Sequence, residues 1–100
     1  MLKLVCLYTR PPDPAAFDTH YREVHMPLLR QLSGVDHIEI AHVTGAPRGE
    51  SPLYLICEIV WDNRAAMDAC MASPEMRAVA RDARIFGDLL SMHIAELDRG

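Results

Sequence analysis

Two stretches of this chain, Leu2 to Thr9 and Leu53 to Trp61, are apolar on both faces of an extended backbone. In the first, Leu2, Leu4, Cys6 and Tyr8 point one way and Val5 and Leu7 the other. In the second, Leu53, Leu55, Cys57, Ile59 and Trp61 oppose Tyr54, Ile56 and Val60. Both runs are shorter than an ordinary helix and end at turn signals, so each reads as a strand. A sheet washed by water on one side alternates apolar with polar residues. These strands do not, so the sheet they build is expected to be covered on both faces, a monomer with an unusually apolar sheet being the alternative. One hundred residues allow one domain, spanning 1–100. A chain of that length buries only about two-thirds of its unfolded surface, so its own core is modest. The second cover is therefore expected from outside: another copy of the chain, meeting the first with two-fold symmetry. Since both faces are apolar, the sequence leaves open which one the partner takes.

Between the two strands, Asp13 and Pro14 open a helix as N-cap and first helical residue. Phe17, Tyr21, Val24, Leu28 and Leu32 recur on one face, and Gly34 ends it. A second strand is expected from Val35 to Thr44, joined to Leu53–Trp61 by a turn-rich loop over residues 45–52. Asp62-Asn63 caps a helix from Arg64 to Ala72, and Ser73-Pro74 restarts it toward Phe86 and Gly87. Asp88 to Asp98 closes the chain as a fourth strand. The order is βαββαβ, which predicts an α+β, ferredoxin-like domain: a four-stranded antiparallel sheet with two helices on one face.

His25 is the residue with most to say about function. It falls at the border of the apolar helix face, about 60° from its centre. Pro27 follows inside what otherwise reads as one helix. Proline lacks the N–H that would bond the Glu23 carbonyl and disfavours helical geometry at Met26, so a kink or local opening is expected there. Such an opening would line a pocket with polar groups, with His25 as acid or base; a satisfied border histidine beside a tolerated proline is the plainer alternative. Tyr8, at the end of its strand, could orient a ligand or donate a proton, and His93, in the last strand, could face a cavity. Tyr21, Leu28 and Tyr54 are the expected ligand-contacting side chains. His37 with Glu39, and Glu58, are carboxylate or imidazole candidates whose importance would depend on burial.

Other chemistries find no support in these residues. His20 and His25 stand five apart, a spacing that does not put them together on one α-helical face, and there is no metal motif. No glycine-rich phosphate loop or nucleophile elbow occurs, so a cofactor-free protein is expected. The net charge is −4 with no basic cluster, which speaks against nucleic acid and anionic membranes. No apolar run of spanning length occurs, and neither a signal peptide nor a transmembrane span is expected. Cys6, Cys57 and Cys70 form an odd set in apolar surroundings, as expected of buried thiols in a reducing cytoplasm.

The residues together resemble the EthD family, named for ethyl tert-butyl ether degradation. The resemblance runs through Leu2–Leu7, then Phe17-x-x-x-Tyr21-x-x-x-His25-x-Pro27-Leu28, Val43-Thr44-Gly45-Ala46-Pro47, Ala72-Ser73-Pro74-Glu75, and Asp82 near Phe86. The His-x-Pro-Leu element is its most specific part; Ser33-Gly34 departs from the more usual Pro-Gly. The resemblance implies a dimeric α+β barrel, two sheets packed face to face, with a ligand cleft between each sheet and its helices. Relatives in that superfamily include cofactor-independent monooxygenases, muconolactone-type isomerases and polyketide-processing cyclases. Two functions follow as expectations. One is a cofactor-independent enzyme acting on a small apolar or aromatic compound, in a degradation pathway, through His25, Tyr8 and His93. The other is a non-enzymatic accessory or binding protein that sequesters a hydrophobic metabolite.

Overall fold

In the computed structural model, which describes residues 1–98, the last two positions of the 1–100 span lie outside the described residues. Four strands are present: β1 (Leu2–Thr9), β2 (His37–His42), β3 (Leu53–Trp61) and β4 (Leu90–Glu96). All pair antiparallel, in the order β2-β3-β1-β4, with the helices on one face. This is the ferredoxin-like α+β arrangement expected from the element order. The two doubly apolar runs are its central strands. Their helix-facing residues, Leu4, Cys6, Tyr8, Leu55, Cys57, Ile59 and Trp61, form the core with Phe17, Tyr21, Met67, Val79 and Phe86.

The helices start where the caps place them. Asp13 Oδ1 accepts from Ala16 N–H at 3.1 Å and opens α1 (Pro14–His20). Asn63 Oδ1 accepts from Ala66 N–H at 2.9 Å and opens α3 (Arg64–Met71). Ser73 Oγ accepts from Met76 N–H at 3.1 Å and opens α4 (Pro74–Ala83). Each satisfies a backbone donor that the first helical turn leaves without a partner.

The first helix is not continuous. Residues Tyr21–His25 form a π turn, after which α2 (Met26–Leu29) resumes. Met26 N–H donates to Tyr21 O, a bond one residue longer than in an α-helix. Pro27 accounts for it: in α register its ring would press on the Glu23 carbonyl, which it could not satisfy. The extra residue rotates everything that follows. The buried stripe runs Phe17, Tyr21, His25, Leu29, whereas Val24, expected inside, is 42% exposed and Leu28 is only partly buried.

The other differences lie at element ends. β2 is shorter than Val35–Thr44 and spans only His37–His42, though Asp36 and Val43 just outside it still donate backbone hydrogen bonds to Val60 O and Tyr54 O of β3, at 2.8 and 2.9 Å. α4 ends at Ala83 and gives way to a 3₁₀ turn over Arg84–Leu89, and β4 begins at Leu90 rather than Asp88. Gly87 reverses the chain there with φ 54°, a conformation that L side chains disfavour. Between Tyr8 and Thr9 the β1–β3 register slips, so Tyr54 has no partner on β1. This bulge re-aims Tyr54: instead of lying beside Ile56 on the far face, it packs edge-on against Phe17, with ring centroids 5.5 Å apart.

Candidate functional site

Three elements converge on one carboxylate. The π turn carries His25 into the core, 3% exposed, where Nδ1 lies 2.8 Å from Asp82 Oδ2. Asp82 projects from the last turn of α4. His20, at the end of α1, places Nε2 3.0 Å from both carboxylate oxygens. In an α-helix residues five apart point about 140° away from each other at about 100° per residue, which is why the sequence separates the two histidines. The π turn corrects that expectation: the wider turn carries His25 round until both rings reach Asp82.

Asp82 fixes the chemistry of His25. An ionised carboxylate only accepts, so His25 must present Nδ1–H to it, which leaves the Nε2 lone pair free in the neutral ring. Burial would raise the Asp82 carboxyl, but the bonds from His25 and then His20 bring it below its ordinary value. For His25 burial dominates: it lowers the imidazole below its usual value, against the raising effect of Asp82. His25 is therefore a neutral, oriented base near pH 7.

The imidazole stands in the wall of a cavity of about 250 Å³ between the sheet and the helices. Leu4, Ile59, Met76, Val79 and Leu90 supply most of its apolar wall, with Tyr8 and His25 as its ring-bearing polar groups. Met92, 60% exposed on the edge strand, lines its open side. Tyr8 is 1% exposed and boxed by Phe17, Tyr21 and Phe86, whose centroids lie 5.6, 5.5 and 5.1 Å away. Chiefly through burial, its phenol is raised above its usual value and stays protonated, a donor rather than a base. Phe86 also meets His25 edge-on at 5.1 Å, which holds the imidazole plane.

The remaining candidates separate from this pair. His93 lies opposite Val5 on the far face of the sheet, exposed, with Nε2 3.2 Å from Ser91 Oγ, and does not reach the cavity. Strand parity decides this: Leu90 and Met92 face the helices, so His93 faces away. Tyr54 donates its hydroxyl to Asp18 at 2.8 Å, beneath the Arg10 guanidinium. Tyr21 supports the rings of Tyr8 and His25, the latter at 5.0 Å, and borders a different hollow with Asp18 and Arg22. Leu29 lines the cavity where Leu28 was expected. His37 is exposed between Asp36 and Glu39, and Glu58 pairs with Lys3 at 3.0 Å on the far face. Among the described residues no group of three His, Cys, Asp or Glu side chains is disposed to hold a metal ion.

The sheet is ferredoxin-like, and beneath its helices an aspartate-oriented histidine stands in the wall of a cavity. The sequence profile of the EthD domain matches residues 10–89, and the chain belongs to the EthD family. It is similar to an EthD family protein from Bacillus halodurans, 37% identical over 98% of this chain and 99% of that one, with a TM-score of 0.93. SnoaB, a cofactor-independent oxygenase from Streptomyces nogalater, shares the fold at 14% identity and a TM-score of 0.67, over 99% and 93% of the two chains. So does a dimeric ferredoxin-like protein from Bacteroides fragilis, at 16% identity and a TM-score of 0.65, over 96% and 95%.

Proposed function

We propose that this protein is a cofactor-independent enzyme that removes a proton from a small apolar or aromatic compound held between sheet and helices. One observation carries the proposal: a neutral, Asp82-oriented His25 in the wall of a mostly apolar cavity, which Tyr8 and Arg77 also line. An engineered cavity of about 150 Å³ takes benzene, so about 250 Å³ suits a ligand somewhat larger than a single ring. The Nε2 lone pair would take a proton from an acidic C–H or phenolic O–H, and Tyr8 would donate a hydrogen bond to the oxygen on which charge develops. The resulting carbanion or phenolate can isomerise, cyclise or react with oxygen. The oxygenase activity of SnoaB on the same fold lends support to the last of these. In this reading the protein acts in a cytoplasmic degradation pathway as a homodimer. The helices cover one sheet face, and the half-buried Val5, Leu7 and Ile56 on the other are the surface that a second copy would cover.

A panel of phenols and enolisable ketones, followed by product analysis, oxygen uptake and solvent-deuterium exchange, tests it. His25→Ala is expected to lower turnover about 10²–10⁴-fold, the usual contribution of a general base, with the dimer retained. Tight binding with neither exchange nor turnover in the wild-type protein would instead establish the sequestering role.

A further inference from the structure

Cys6 and Cys57 are direct partners in the β1–β3 register, 7% and 1% exposed, and both line the cavity. The alternation of the ladder fixes what kind of pair they are. Leu97 N–H donates to Met1 O, so odd residues of β1 bond toward β4 and even ones, Cys6 included, toward β3. Val43 N–H donates to Tyr54 O, which likewise turns even residues of β3 toward β2 and Cys57 toward β1. The two cysteines are thus a hydrogen-bonded cross-strand pair, whose Cα atoms stand about 5.5 Å apart. That lies within the span of about 4.4–6.8 Å that disulfides bridge. Cβ atoms of facing residues are about 4.5–5.5 Å apart, the longer end belonging to hydrogen-bonded pairs, about an ångström beyond the disulfide range of about 3.5–4.5 Å. Closing the bridge must draw the strands together, and a strained bridge is readily reduced again.

The Tyr21 hydroxyl, on a residue 2% exposed, lies beside the Cys57 thiol. The thiol of Cys6 draws the Cys57 thiol below its usual value; burial opposes this and the Tyr21 hydroxyl assists it. Cys6 itself is pushed up, by Cys57 first and then by burial. Cys70, on α3, is buried too but does not line the cavity.

We propose that Cys6 and Cys57 are a reversible dithiol–disulfide pair in the cavity wall, oxidised by a small hydroperoxide that enters the cavity. The Cys57 sulfur attacks one peroxide oxygen and the O–O bond breaks. The other oxygen leaves with the thiol proton as an alcohol, or as water from hydrogen peroxide, and Cys57 becomes a sulfenic acid. The Cys6 sulfur then displaces the sulfenic hydroxyl, which departs as water with the Cys6 proton, and the S–S bond forms. Two thiols lose two electrons and one peroxide gains them; a low-molecular-weight thiol reverses the change by exchange.

The test treats the reduced wild-type protein with equimolar hydrogen peroxide or tert-butyl hydroperoxide, then alkylates it under denaturing conditions and maps its peptides. The expected product has lost two hydrogens, contains a Cys6–Cys57 linked peptide and an alkylated Cys70, and reverts with dithiothreitol. In Cys6→Ser, whose hydroxyl keeps a donor beside Cys57, dimedone is expected to trap a sulfenic acid on Cys57; in Cys57→Ala, Cys6 stays unmodified. Equal alkylation of all three thiols after peroxide, or a link through Cys70 or between chains, overturns the proposal. The wild-type map decides the matter even where a variant fails to fold.

Discussion

A neutral histidine buried against a carboxylate carries a pH signature. The folded protein holds the His25 imidazole below its usual value, first through burial. Over that interval the unfolded chain binds a proton that the folded one does not, and stability must fall as the proton is taken up. The stabilisation is fully present above the unfolded value of about 6.5 and is lost as pH drops through the lower folded value. Urea midpoints measured from pH 7.5 to 5 should decline in the wild-type protein and flatten in His25→Gln. Asp82 acts in the same direction at lower pH, since its carboxyl is also held down, and its contribution fades only below about pH 4. Nitrogen NMR of the His25 ring offers a direct check on the tautomer: Nδ1 protonated and Nε2 bare at pH 7. Asp82→Asn should disturb that assignment and reduce turnover by at least about 10²-fold, with a changed pH profile; an unchanged ring spectrum would remove Asp82 from its orienting role.

The π turn is the element that makes the site, and Pro27 is its cause. In Pro27→Ala the backbone N–H returns, and α register becomes available across Tyr21–His25. The expected result is a helix that relaxes toward regular winding, rotates His25 toward the border, and lengthens its bond to Asp82. Faster exchange of the His25 ring proton and weaker ligand binding would report it; identical spectra would show that tertiary packing alone holds the turn. This is also where sequence reading stopped short. Asp13, Asn63 and Ser73 act locally, so their caps were legible, as were the central strands from their doubly apolar faces. A local opening at Pro27 was legible too. Its form was not, because whether a helix kinks or gains a residue depends on what its rotated face meets, here Asp82 from a helix some sixty residues later. Asp82 itself carried only the signal of standing near Phe86. Tyr54 was misplaced for a similar reason: a bulge depends on the register of two strands, which one strand's pattern does not contain. His93 needed only the parity of β4, and that could be fixed only once the strand's first residue was known.

At the scale of the whole molecule, the sheet has one face under helices and, among the described residues, no helix on the other. Trp61, fully buried at the end of β3, anchors the covered side. Trp61→Ala should cost about 3–5 kcal/mol, enough to threaten a domain whose total stability is of the order of 5–15 kcal/mol. On the other side, Ile56→Lys should dissociate a sheet-to-sheet dimer while leaving the monomer folded, as sedimentation can establish. The central claim, that the cavity holds a small molecule on which His25 acts, is best tested by native mass spectrometry followed by extraction. The protein and its His25→Ala variant, each expressed in the native host, would be compared for what they carry. A small apolar compound is expected in the variant and its converted form, or an empty cavity, in the wild-type protein. The same unaltered compound recovered from both would contradict catalysis by His25, and no compound in either would contradict the cavity's role as a binding site.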